Sequence, residues 1–234
     1  MSEFERSVKP LLAGVPGWLT DEEGEALYEL ARGCGGRGAI VEIGSWKGKS
    51  TICLGLGSRA GNGLPIYAVD PHTDYRFGDF KANVERAGID ELVTAVPSLS
   101  QAAADDFHEA VELLFVDGSH EEALVREDFD KWVPKVVEGG WVAFHDTVWA
   151  AGPRRVVGSR IYRSHWFKDV RFVVGSLTVA RKVASNSLAD RIRARYVLAL
   201  KTAFWLATSV VKKQRRLIPG PVERLARRAL RAIQ

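Results

Sequence analysis

The sequence predicts an α/β fold: a mainly parallel sheet with helices on both faces, closed by an antiparallel hairpin. Three observations carry that prediction. Between residues 20 and 147, apolar runs of strand length alternate strictly with helical patterns, and parallel strands need such a crossover before each new strand. Runs such as "AIVEIG" and "ELLFVD" are almost continuously apolar, as strands buried on both faces must be. After residue 169, "VRFVVGSLTVARK" instead shows two alternating runs joined by Gly175-Ser176, the pattern of a hairpin.

Taken in order, "WLTDEEGEALYELARG" predicts a helix with Thr20 as N-cap and Glu23 completing a capping box. "AIVEIG" is the first strand, entered from a Gly-rich turn, and "KSTICLGLGSRA" the helix after it. "LPIYAVD" is the second strand, and "DFKANVERAGI" a short helix stopped by Gly88, a residue suited to the C′ position. "LVTAV" and "LSQAAADDF" repeat the unit, followed by "ELLFVD" as the fourth strand. "EEALVREDFDKWVPKVVEGG" reads as a helix interrupted near Pro134, and "GWVAFHD" as the fifth strand. "GPRRVVGSRIYRSHWF" is expected to be helical before the hairpin. Beyond Val183, "SLADRIRARYVLALKTAFWLATSVV" and "PVERLARRALRAI" read as basic amphipathic helices parted by Pro219 and Gly220. Residues 1–184 are thus expected to form one domain and residues 185–234 a helical extension.

A chain of 234 residues is long enough for one well-buried core. The net charge of +4 is modest but uneven, because residues 181–234 carry most of the excess of Arg and Lys. Cys34 and Cys53 lack metal-ligand spacing and make no disulfide framework, which suits a reducing cytoplasm. The N-terminal residues lack a signal-peptide pattern, and no apolar stretch approaches the ~20 residues that span a bilayer. The basic extension has three readings: helices docked on the body or on a second copy, a membrane-surface helix inserting "AFWLA", or a nucleic-acid contact. No recognised nucleic-acid motif accompanies the charge, so that last reading is set aside.

The loop "VEIGSWKGKS" raises the question of ligand. Gly44, Gly48, Lys49 and Ser50 nearly spell a phosphate-binding loop, but one residue is missing and Glu42 sets a carboxylate beside any polyanion. Asp70 ends the second strand where a dinucleotide fold places the acid that bonds ribose hydroxyls, a group of no use to a triphosphate site. Ser45-Trp46 occupies the place of the glycine that admits a pyrophosphate. The loop therefore suits an adenosine ligand without pyrophosphate, and a cationic ligand tolerates Glu42. The lesser reading of Glu42 is a carboxylate that only caps the loop.

The pattern Glu42-x-Gly44-x-x-x-Gly48-x-Ser50 followed by Asp70 resembles the class I S-adenosylmethionine-dependent methyltransferases over residues 20–183. "VEIGSWKGKST", "DGSHEEALVREDFDKWVPKVVEGG" and "FHDT" resemble the branch that methylates hydroxyls of sugars and antibiotic glycosides. The resemblance implies a Rossmann-like, seven-stranded sheet. It implies cofactor contacts from Glu42, Gly44, Ser45, Gly48, Ser50 and Asp70, with Asp117 nearby. The segment "PSLSQ" would surround the adenine, although Ser98-Leu99-Ser100 stands where the family has Gly-Asp-Ser. Asp117, Asp146 and the weaker ligand Thr147 would hold a divalent metal such as Mg²⁺.

A sugar hydroxyl is a poor nucleophile at neutral pH and needs a base or a metal. Asp117 and His120 follow the fourth strand, and His145 and Asp146 the fifth, at the carboxyl ends where open α/β sheets bind ligands. His145, beside Asp146, is the first candidate base and His120 the second; each is also open to a structural role. Trp149 is open both to lining the acceptor site and to packing. The acceptor expected from the resemblance is a small sugar or glycoside, such as a mannoside of the mycobacterial methylmannose polysaccharides. A catechol-type enzyme acting on phenols, or a cofactor-binding module without turnover, are the alternatives.

Overall fold

A computed structural model of the chain describes residues 1–73 and 76–213; the expected helix over 221–233 lies outside them. A π-helical turn (Phe4–Val8) leads into α1 (Lys9–Leu12) and α2 (Asp21–Arg32). Seven strands follow: β1 (Ala39–Ile43), β2 (Ile66–Asp70), β3 (Val93–Pro97), β4 (Val111–Val116), β5 (Val136–Phe144), β6 (Phe167–Val173) and β7 (Leu177–Lys182). Between them lie α3 (Lys49–Ala60), α4 (Arg76–Arg86), α5 (Ser100–Asp106), α6 (Glu122–Trp132) and α7 (Ala151–Arg160), and α8 (Leu188–Lys213) comes last. The sheet order is β3-β2-β1-β4-β5-β7-β6, with β7 antiparallel to both its neighbours. The chain builds outward from β1 to β3 and then crosses back to β4, so the order reverses between β1 and β4. Open α/β sheets bind ligands at such a switch point.

Local chemistry sets the ends of the elements. Thr20 Oγ1 accepts from the Glu23 N–H at 3.3 Å while Glu23 Oε2 accepts from the Thr20 N–H at 2.9 Å, so two of the free donors at the start of α2 are satisfied. The interior of α3 is buried on every side, and Cys53 is a core residue there. One core layer gathers Leu27, Tyr28, Ile52 and Phe80; the other, across the sheet, gathers Phe129, Trp132, Val156 and Phe172.

Two expected boundaries move. The helix through Pro134 stops at Trp132, a 3₁₀ turn spans Val133–Lys135, and the residues "VVEGG" belong to β5. Pro134 cannot donate to a continuing helix, and Val136 pairs with Val111 of β4. The helix before the hairpin ends at Arg160, and Phe167 already lies in β6 with its side chain in the core.

The described part of the extension is one helix, α8, docked along β6. Ala194 and Val197 join the second core layer. The division set at residue 184 falls in the turn between β7 and α8. "AFWLA" does not offer its aromatics to a membrane: Phe204 packs on Phe172 and Trp149, and Trp205 lies under the Arg154 guanidinium. No helix among the described residues is long and apolar enough to cross a membrane.

Candidate active site

The carboxyl ends of β1, β2, β4 and β5 open into a cavity of about 750 Å³. Its walls come from residues 17–19, 43–46, 69–71, 99–101, 117–120 and 145–146, with Lys49, Ser50, Arg76, Leu124 and Asp128. The strand ends are held level by their ladders: Gly44 N–H donates to Val69 O, Asp117 N–H to Ile43 O and His145 N–H to Val116 O, at 2.8–3.0 Å.

The glycine loop is explained by the crowding around it. Gly44 has φ +88°, and a Cβ there would stand 2.3 Å from the carbonyl oxygen of Asp117. Glycine is therefore needed for β1 to turn away while touching the end of β4. Gly48, also at positive φ, is the N-cap of α3 and packs on Phe80 rather than lining the cavity. Trp46 is held at φ +43°, a strained conformation for a bulky residue. Its N–H donates to Asp70 Oδ2, and the His72 N–H to Asp70 Oδ1, both at 3.0 Å. Asp70 is thereby fixed in the cavity wall. Ser45 also lines the wall, its Oγ 3.4 Å from His72 Nε2. Lys49 donates to Gly17 O at 3.2 Å, which ties the loop to the N-terminal segment.

Glu42 supports the loop and is absent from the cavity wall. It is fully buried behind the loop and accepts hydrogen bonds from Ser50 Oγ and Thr51 Oγ1, so it touches the ligand space only through Ser50. Burial raises its pKa to about 7 despite those two donors. Ser98 is also absent from the cavity wall, and its hydroxyl donates to Leu99 O. Leu99, Ser100, Gln101 and Asp128 form that wall instead. Asp128 accepts from Ser100 Oγ at 2.6 Å and Gln101 Nε2 at 2.8 Å.

At the other end of the cavity the acids and histidines converge. Asp146 sits at φ +53°, and this left-handed turn lets it and its neighbour His145 reach the same cleft. His145 Nδ1 lies 3.1 Å from Asp117 Oδ1, and its Nε2 lies 3.3 Å from Glu23 Oε2, a distance for an ion pair without hydrogen-bond geometry. Burial opposes a charge on His145, but the hydrogen bond to Asp117 and the close carboxylates of Asp146 and Glu23 outweigh it and push the pKa up to about 12. Both ring nitrogens face carboxylates and the ring is an imidazolium, so it has no lone pair to take a proton. This charge weighs against His145 as the base and leaves His120 as the candidate on the open wall. His120 is more than half exposed on the cavity wall, and its Nε2 lies 2.8 Å from Asp146 Oδ2.

Donor atoms of Asp117, His120 and Asp146 all lie within 4.8 Å of one another, a set able to hold a cation. Thr147 is not part of it. It is fully buried, donates its hydroxyl to Ser176 O at 2.8 Å and so ties β5 to the hairpin turn. Its oxygen also pairs with Thr178 Oγ1 at 2.9 Å and is absent from the cavity wall, so it does not face the cluster.

Sequence reasoning missed Glu23 and Trp18. Glu23 was legible as a cap, yet its buried carboxylate also accepts the Ser176 N–H and faces His145, joining α2, the hairpin and the cleft. Trp18 is exposed at the cavity wall and stacks on Trp46 with ring centroids 5.2 Å apart. Trp149 lies outside the wall, against Phe204.

This sheet, with an acid closing β2 and a cleft at the switch point, is the class I methyltransferase fold. Residues 41–147, which hold most of the cleft, match the family of methyltransferase domains. A solved protein of Corynebacterium glutamicum is similar in fold at 18% identity and TM-score 0.63, covering 80% of this chain and 94% of that one. An O-methyltransferase of Bacillus cereus, solved with S-adenosylhomocysteine, shares 18% identity over 76% of this chain and 91% of its own, at TM-score 0.58. TomG, a Streptomyces achromogenes O-methyltransferase of tomaymycin synthesis solved with S-adenosylmethionine, shares 17% over 79% of this chain and 100% of its own, at TM-score 0.59. Residues 41–147 are thus similar to methyltransferase domains, within a chain of the class I fold.

Proposed function

We propose that this protein is an O-methyltransferase that uses S-adenosylmethionine to methylate a hydroxyl of a small sugar or glycoside. The observation that carries the reading is a single cavity that holds a fixed acid, Asp70, at one end and a His120–Asp146 pair at the other. Bound there, S-adenosylmethionine would supply an electrophilic methyl group, which passes in line to the acceptor oxygen as the carbon–sulfur bond breaks. The adenosine would take Asp70 at its ribose, with Leu99, Gln101 and Asp128 about the base. His120, with Nε2 on Asp146, keeps Nδ1 for the acceptor proton, and Asp146 orients the ring and stabilises the imidazolium formed. Positioning supplies much of the remaining catalysis.

The sugar reading rests on the resemblance and on Trp18, whose exposed ring on Trp46 offers a flat apolar platform beside the cleft. A mannoside of a polysaccharide is one such acceptor. A second use of the cluster has its own support. Glu23, Asp117 and Asp146 face one imidazolium, an excess of negative charge, and Asp117, His120 and Asp146 are spaced to hold a divalent cation. Bound there, the ion would lower the pKa of the acceptor hydroxyl. An imidazole among the donors favours an ion such as Mn²⁺ over Mg²⁺.

Release of S-adenosylhomocysteine with panels of hexosides and of catechols tests the reading. Turnover with hexosides is expected; turnover with catechols alone would move the acceptor to phenols, and binding without turnover would leave a cofactor-binding module. EDTA should leave the rate unchanged if His120 is the base and abolish it if the cluster works through a metal.

A further inference from the structure

The face of α8 turned away from the body has the wrong composition for water. Leu188, Ile192, Tyr196 and Leu206 are each more than half exposed, and the small residues Ala199 and Ala203 fall between them on the same side of the helix. Spacings of three and four residues make this one stripe along the helix. The opposite side carries the buried Ala194, Val197 and Lys201. Trp166, also more than half exposed, stands beside the turn that enters α8, where its carbonyl accepts from Val183 N–H.

Cations flank the stripe. Arg191, Arg193 and Arg195 are exposed on α8, and Lys168 and Arg171 lie on the adjoining edge strand β6. Arg171 and Arg181 both stack on Trp141 and sit near enough to repel one another, with Arg193 adding to that field. The acids nearby are Asp169, 3.9 Å from Arg181, and Asp190, which caps the start of α8 through Ser187. The chain beyond adds six arginines against one glutamate over residues 214–234.

We propose that this face of α8 is a docking surface for an anionic lipid bilayer, the protein lying on the membrane without crossing it. The occupant follows from the chemistry. Pairing the face with a second copy would set arginines against arginines. A nucleic acid would match the charge but leave Leu188 and Ile192 without an apolar partner. A leaflet with anionic headgroups satisfies both, taking the aliphatic stripe into the acyl boundary, Trp166 and Tyr196 at the interface and the arginines at the phosphates. The surface lies outside the cleft and is independent of the proposed catalysis.

The test is co-sedimentation of the full chain with vesicles of phosphatidylcholine alone or with about a third phosphatidylglycerol. Binding to the anionic vesicles only is expected, weakening as salt rises. Two variants keep residues 210–234 intact: Arg191→Glu with Arg193→Glu and Arg195→Glu, and Ile192→Ser with Tyr196→Ser. Each should lower the partition coefficient at least about tenfold, with an unchanged far-UV spectrum. Unaltered binding of both variants would give the lipid contact to the tail and overturn the proposal. So would failure to bind either vesicle, binding to RNA in place of vesicles, or a dimer in sedimentation velocity that the Ile192→Ser, Tyr196→Ser variant dissociates.

Discussion

His145 is held as a cation by three carboxylates, and this decides what each residue of the cleft does. Its raised pKa means that the folded state keeps a proton the unfolded state has lost. The resulting stability is full below pH 6.5 and drains away as the pH climbs toward about 12. In EDTA, His145→Asn should remove that slope from the Tm-versus-pH curve above pH 7. It should also cost about 3–5 kcal/mol at pH 7, because Glu23, Asp117 and Asp146 are left facing one another. His120→Ala should fold normally and lose about 10²–10⁴-fold in kcat, with S-adenosylhomocysteine affinity retained by calorimetric titration. Glu42 is a second buried group whose pKa is raised. Its raised pKa gives stability that is present below about pH 4.5 and lost as the pH rises through about 7. Glu42→Gln should therefore gain on the native protein in thermal melts at pH 9 relative to pH 5.

At the scale of elements, α8 and the glycine loop each rest on one buried polar group. Lys201 reaches under α8 to Thr178 Oγ1 at 3.2 Å and packs on the Tyr162 ring. Burial, helped by Arg154, depresses its pKa to about 7. The folded chain therefore sheds this proton near pH 7 and the unfolded chain near 10.5. Stability from this site is present above 10.5 and lost as the pH falls through 7. Lys201→Met, which fills the same space without charge, should raise Tm most at pH 6, and the gain should shrink by pH 10. Thr178 keeps the neighbouring hydroxyls of Thr147 and Tyr162. An equal gain at both pH values would mean that the lysine stays neutral or solvated throughout.

At the scale of the whole molecule, the sheet order turns scattered residues into one cleft. Glu23 starts α2 and His145 ends β5, yet they meet because α2 packs beside the hairpin turn that follows β6. A ligand that spans Asp70 to Asp117 crosses the switch point and binds the folded state alone. Saturation at about 100 times Kd should then add ~2.7 kcal/mol to stability. Asp70→Ala should lose most of the Tm rise that S-adenosylhomocysteine gives, measured from the variant's own ligand-free Tm. Equal protection of both proteins by the ligand would remove Asp70 from the site.

Sequence alone determined the order of elements, the capping box at Thr20, the glycine loop and the acid that closes β2, because periodicity, caps and turn residues are written within a few positions of where they act. It also determined which side chains could carry chemistry. Tertiary structure decided which of them do so together. Thr147 was drawn off by the Ser176 carbonyl, 29 residues away in sequence, and Glu42 by two hydroxyls of α3. His145 is held as a cation by Asp117, Asp146 and also Glu23, which lies 122 positions earlier yet faces its second nitrogen. A group's pKa and partners depend on distance through space and on exclusion of water, and neither is set by neighbours along the chain.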